Sequence, residues 1–237
     1  MRKRDRFYAA VGVRTASQGF AIALDDRPVR TPLGRPLILP TEALAQAVGD
    51  EWASQGSVIA PATMPLTGIA NTAIDRARED RNSFRSAVAA YGRNDLLCQR
   101  ADAPADLVRR QETSWGPWLA WAAERYGARL AVGTGVMPVR QPPEAMAALD
   151  DAVGALDEWT LAAAGVAVAA GGSLVLALAL VEGRIDGGEA FALAVLDETW
   201  QNERWGEDRE ALGRRDAIAA DLAAAGRFAR LAREKTS

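Results

Sequence analysis

Carboxylates are the one catalytic ingredient this chain holds in quantity, and they crowd into a single stretch. Residues Phe191–Asp208 read Phe-Ala-Leu-Ala-Val-Leu-Asp-Glu-Thr-Trp-Gln-Asn-Glu-Arg-Trp-Gly-Glu-Asp. Glu198 with Asp197, Glu203 or Asp208 could in principle act as the acid/base pair of a carboxylate-dependent hydrolase. That chemistry needs an enclosed cleft and a tuned pKa, and no spacing here implies either. Exposed helix carboxylates are the plainer reading. The same stretch also carries Trp200, Gln201, Asn202 and Trp205, an indole-and-amide set of the kind enriched at protein interfaces. Composition alone leaves core aromatics and a recognition surface both open.

What is missing narrows the chemistry further. The 237 residues contain no His, which removes Ser-His and Cys-His nucleophiles and every His metal site. Lysine occurs only as Lys3 and Lys235, so no phosphate loop ending in Gly-Lys-Ser/Thr exists and no interior Schiff base is available. Cys98 is the single cysteine, which excludes an internal disulfide and a thiolate cluster and points to a reducing compartment. No cofactor or metal is expected. A net charge of −3 leaves no nucleic-acid footprint.

The acidic, indole-bearing stretch must be held by a helix. Asp186 and Glu189 have capping-box spacing before it, and Gly206 suits a stop, so one helix is predicted over 187–205. Leu193, Leu196 and Trp200 fall on one face, with Trp200 structural. Glu198 sits about 140–160° off that face at 100° per residue. It is expected to point outward near Gln201 and Asn202, so that Glu198→Lys changes stability by about 0.5 kcal/mol or less. Leu161–Val181 carries no charge and is long enough to span a bilayer. Its Ala and Gly content and lack of basic flanks favour the buried centre of a helical domain over a membrane-associated module, so no stable membrane insertion is expected.

Earlier residues read differently. Arg6–Pro40 has no helical period; strands are predicted over 7–14, 19–24, 27–31 and 35–39, with turns at Thr15–Gly19, Asp25-Asp26 and Thr31-Pro32-Leu33-Gly34. Thr41 then looks like an N-cap for a helix whose Leu44, Val48 and Trp52 share a face, with Trp52 as a structural anchor. Val58–Pro65 should be extended. Helices are predicted over 66–78, 82–91, 104–126 (with Gly127 as stop), 144–156, 158–170, 173–183 and 208–232. Short strands at 95–100 and 129–132 would close a β-α-β unit. The fold class is α+β: a small α+β domain over 1–62, a β-meander plus helix, and a larger mainly helical domain over 63–237.

Several short motifs run in order along the chain: Leu24-Asp25-Asp26-Arg27-Pro28-Val29-Arg30-Thr31-Pro32, Leu39-Pro40-Thr41-Glu42-Ala43-Leu44-Ala45, Glu51-Trp52-Ala53-Ser54-Gln55, Met64-Pro65-Leu66-Thr67, Asp95-Leu96-Leu97-Cys98-Gln99-Arg100, Trp115-Gly116-Pro117 and Glu198-Thr199-Trp200-Gln201-Asn202-Glu203-Arg204-Trp205-Gly206. Jointly they resemble the assembly chaperone family of the ATP synthase catalytic sector, the ATP-twelve type that protects the alpha subunit. The resemblance implies a non-enzymatic chaperone that binds the unassembled alpha subunit and shields its beta-facing surface. The family's functionally important acidic position matches Glu198; Trp200 stands where relatives can carry Tyr. Glu198, Gln201, Asn202, Glu203, Trp205 and Asp208 are accordingly the candidate partner-binding residues. A monomeric, bacterial cytoplasmic protein is expected, the mitochondrial matrix being the equivalent place in eukaryotic relatives.

Overall fold

The computed structural model of the protein describes residues 4–135, 139–206 and 209–234. These fall into two compact units. The first takes the chain up to Arg81, then Asp157–Ala163, then the stretch from Arg227; the second takes Asn82–Leu156 and Ala164–Gly226.

In the first unit the strands gather around one central strand. β1 (Arg4–Asp5) lies apart from the main sheet, where β2 (Val11–Ala16) runs antiparallel to β3 (Gly19–Leu24), pairing Val11 with Leu24 and Ala16 with Gly19. β4 (Arg27–Pro28) and β5 (Ile38–Leu39) both pair with β3. Asp25 and Asp26 connect β3 to β4 with φ of 45° and 68°, a two-residue turn that short polar side chains tolerate. The Asp25 carboxylate accepts from the amides of Ala10 (2.8 Å) and Ala9 (3.0 Å), and those bonds hold its carboxyl below the usual range. Gly19 is required by space: with φ at +132°, a Cβ there would sit 2.1 Å from the Leu39 carbonyl oxygen.

α1 (Glu42–Ala53) packs on this sheet, with Leu44 and Val48 fully buried. Thr41 caps it, accepting from the Leu44 amide at 3.2 Å while donating to the Leu231 carbonyl at 2.7 Å. Trp52 is only half-buried on the same face; its ring meets Tyr8 edge-on at 5.9 Å, and the Tyr8 hydroxyl donates to the Trp52 carbonyl at 2.7 Å. The segment after α1 is not extended throughout. β6 (Val58–Ile59) pairs with β1, and a 3-10 turn over Pro61–Thr63 follows. α2 (Pro65–Thr72) then starts on the Glu51 carboxylate, which accepts from the Leu66 and Thr67 amides at 2.7 and 2.8 Å. A carboxylate at a helix N-terminus satisfies free amides and the positive end of the dipole. A π-helical turn over Ala73–Ala77 extends α2.

The second unit is mainly helical. α3 (Arg81–Ala89) leads into 3-10 turns and then β7 (Gln99–Arg100). α4 (Ala105–Tyr126) runs unbroken past Pro117 and stops at Gly127, whose φ is 76°. β8 (Gly133–Thr134) pairs parallel with β7, so the β-α-β unit forms with its second strand displaced from the predicted 129–132. α5 (Pro143–Gly154) and α6 (Glu158–Gly171) follow, then α7 (Leu174–Val181). The long apolar run is broken at Gly172 (φ 68°), and every residue of α7 is buried. Among the described residues, no helix is long and apolar enough to cross a membrane. α7 is set by a buried carboxylate: Asp95, with no exposure, accepts from the amides of Leu97 and Val175, both at 3.0 Å.

The predicted helix over 187–205 is two helices. α8 (Gly187–Ala194) begins with the Asp186–Glu189 capping box. Val195, at φ −107° and ψ 21°, interrupts it, and α9 (Leu196–Trp205) restarts. α10 (Arg209–Arg233) closes the chain's helical set. α8 and α10 approach closely enough that a Cβ on Gly187 would lie 2.6 Å from the Ala223 Cα.

Candidate functional site

α9 gathers most of the residues the sequence singles out. Its inner face is fixed by Leu196 and Trp200, 4% and 5% exposed. Along α4 the polar contacts are dense. Gln111, itself 1% exposed, donates to Asp197 at 2.8 Å and accepts from the Ala101 amide at 2.8 Å. The Trp200 indole donates to Asp106 at 3.2 Å, and Arg204 pairs with the same carboxylate while its guanidinium lies 3.8 Å over the Trp200 ring. Arg110 forks onto both oxygens of Glu203 at 2.7 and 2.9 Å. The Trp115 indole donates to the Leu193 carbonyl at 2.9 Å, holding the end of α8. Planar bidentate pairs and cation–π stacks of this kind fix orientation as much as they add energy.

Protonation follows these contacts. The bond from Arg110 is the main reason that the Glu203 carboxyl lies below the ordinary range, and Glu203 in turn raises Arg110. At Asp106, desolvation pushes upward, but the bond from Trp200, the Arg204 charge and local amides outweigh it and leave the carboxyl lowered. A general acid needs the opposite displacement, so Glu203 is poorly suited to hydrolytic acid catalysis.

Glu198 is half-buried and paired rather than free in solvent. Arg214 of α10 donates to its Oε1 at 2.6 Å, and Arg215 stands 4.0 Å from its Oε2, which is buried without a hydrogen-bond partner. Arg215 also donates to the Thr199 hydroxyl at 3.1 Å and stacks on Phe191 at 5.5 Å. Glu203 and Glu198 are therefore matched by Arg110, Arg214 and Arg215 rather than left as a free negative surface, while Arg204 of α9 answers Asp106 of α4. Arg109-Arg110 reads in sequence as a solvated pair, yet Arg110 is one of the clamps. Only the folded chain brings Asp106, Gln111, Arg214 and Arg215 to α9; no local spacing announces them.

What stays uncommitted on α9 is apolar and amide-bearing. Gln201 is exposed, Asn202 half-buried, and Trp205 is 73% exposed, its ring edge-on to Trp200 at 5.6 Å. Asp208 lies outside the described residues. Trp205 is the most exposed of the large apolar side chains described.

Comparison with known proteins agrees with this architecture. A family model described as ATP12 chaperone protein matches residues 5–123. The crystal structure of Atp12 from Paracoccus denitrificans superposes with a TM-score of 0.90 at 43% identity, covering 97% of this chain and 98% of that one; a point mutant of the Paracoccus protein gives the same values. Atu1473 from Agrobacterium tumefaciens superposes equally well, at 42% identity over 96% of this chain and 86% of that one. The Schizosaccharomyces pombe protein named atp12, mitochondrial, is 22% identical over 218 residues, 87% of this chain and 75% of its own length. A family pattern over half the sequence and a shared fold at 43% identity agree with the motifs read along the chain, and the chain belongs to the ATP12 chaperone family, the ATP synthase assembly chaperones those motifs resemble.

Proposed function

We propose that this protein is a non-catalytic, monomeric chaperone that binds the unassembled alpha subunit of the ATP synthase and covers its beta-facing surface. The observation that carries the reading is Trp205: a 73% exposed indole at the end of a helix that Asp106, Arg110 and Gln111 hold in place. A rigidly presented aromatic is what binding anchors look like. A subunit face built for burial is an aggregation hazard until covered, and a temporary cover must yield to the larger final interface. Gln201 and Asn202 extend the contact. Glu198 and Glu203 support it by fixing α9 against arginines, with Glu198 open to exchange onto a client cation. The place of action is the bacterial cytoplasm.

The test compares wild type with Trp205→Ser in suppressing aggregation of isolated alpha subunit. An exposed side chain contributes little to folding, so the variant should melt within about 0.5 kcal/mol of wild type. Its binding should weaken by about 2 kcal/mol or more. Equal protection by the variant moves the client surface away from α9.

A further inference from the structure

A second binding feature lies in the first unit, far along the chain from α9. A cavity of about 610 Å³ opens between the sheet, α1 and α2, a size that suits a small ligand or a few residues of peptide. Leu24, Val29, Ile59 and Met64 give it an apolar floor, and Phe7, 63% exposed, stands at its lip. Phe7 thereby joins the apolar lining into one contiguous patch open to a partner.

Two polar atoms in the wall are unsatisfied. The Trp52 indole N–H is buried with no acceptor, and the Asn71 side-chain oxygen is buried with no donor. Each such atom carries a desolvation cost. Neither atom has surface open to the cavity, so they mark an imperfectly closed wall rather than a contact for a guest. The charges in the wall set the constraint. Arg27 and Arg30 line the cavity and no lining residue is acidic, while the nearest bond of Arg30 is to the neutral Gly34 carbonyl at 2.8 Å. The neighbouring carboxylates are bonded elsewhere: Glu51 on the Leu66 and Thr67 amides, Asp75 on Thr31 and the Leu33 amide, and Asp25, which also feels the Arg27 charge, on the Ala9 and Ala10 amides.

We infer that this cavity is a second peptide-docking groove, accepting an extended segment in which large apolar side chains alternate with carboxylates. The apolar side chains fill the floor, and the carboxylates meet Arg27 and Arg30. That the segment comes from the client rests on the chaperone reading above; the groove's chemistry does not.

Gly68 supplies the means of testing it. It lines the cavity, and a Cβ built on it meets nothing within 4 Å, so Gly68→Trp fills the groove without a clash at its base; Gly68→Leu is the smaller plug. The probe is a blocked, fluorescein-labelled octapeptide alternating Asp with Leu and Phe, with a twin carrying Lys in place of Asp, titrated by fluorescence anisotropy. The acidic peptide should bind at least about tenfold tighter than its basic twin, either plug should weaken it at least about tenfold, and Arg27→Glu with Arg30→Glu should invert the preference. Thermal melting confirms that the variants fold. Equal binding of the two peptides, or a folded Gly68→Leu that binds like wild type, overturns the groove. Because the readout is peptide alone, failure to protect the alpha subunit sinks only the reading of the previous section. Wild-type protection by a plugged variant sinks the client's use of the groove and leaves that reading standing.

Discussion

Glu198 shows how a residue's role changes once its neighbours are known. The phase argument correctly puts it opposite Leu196 and Trp200, but on that side Arg214 and Arg215 of α10 meet it. A helical wheel reports the angle of a side chain and says nothing of what stands at that angle. The expectation that Glu198→Lys is nearly neutral therefore gives way to a larger cost. The substitution removes an ion pair and places an ammonium beside two guanidiniums, which should cost about 1–2 kcal/mol given the partial solvent screening. Adding Arg214→Glu should recover part of it, with a coupling of about 0.5–1 kcal/mol. Urea unfolding of the two single variants and the double closes the cycle; additive losses would show that Arg214 does not contribute. A protection defect in Glu198→Lys must then be read beside its melting, which is why Trp205 is the cleaner probe of the proposed client surface.

At the scale of elements, the sequence was most legible where each signal is local. Thr41 as cap, the Asp186–Glu189 box and the Gly127 stop are all found as read, because a cap is decided by a few adjacent residues. The break at Val195 has no such signature; Leu, Val and Ala continue through it, and the packing of α8 and α9 decides it. The second strand of the β-α-β unit moved to Gly133–Thr134 for a similar reason, since a parallel pair is chosen by its partner. Asp95 carries the clearest element-scale prediction. It lies in a motif legible in sequence, but its buried bonds to the start of α7 were not. Burial pushes its carboxyl up, opposed by the amides of Val175, Leu97 and Leu174 and by the Ser173 hydroxyl. Removing the acceptor leaves buried amides unpaired, so Asp95→Ala should destabilise by about 2–4 kcal/mol and Asp95→Asn, which keeps one acceptor, by less. Denaturant titration followed by circular dichroism measures both; a loss under about 1 kcal/mol for Ala would mean that these amides find other partners.

Across the whole molecule, helices after a short β-rich start were readable from periodicity, whereas the grouping of elements was not. The first unit draws on α2 and on two distant stretches: Thr41 bonds to Leu231, and Trp159 packs on Phe228 at 6.4 Å. Linker composition marks where a chain is loose and cannot reveal which remote segments return. A fragment of residues 1–62 lacks the Leu66 and Thr67 partners of Glu51 as well as Leu231, and should not fold on its own. Amide dispersion in its NMR spectrum decides this: a well-spread spectrum would show that the sheet and α1 suffice.

That return of the chain has a consequence for timing. Domains generally fold in order as they leave the ribosome, but here the first unit synthesised cannot be completed until the stretch from Arg227 has emerged. The unit that carries the groove is thus completed late, although the groove's own lining lies within residues 7–71. Translation itself acts as a delay, and a half-made copy has no finished first unit.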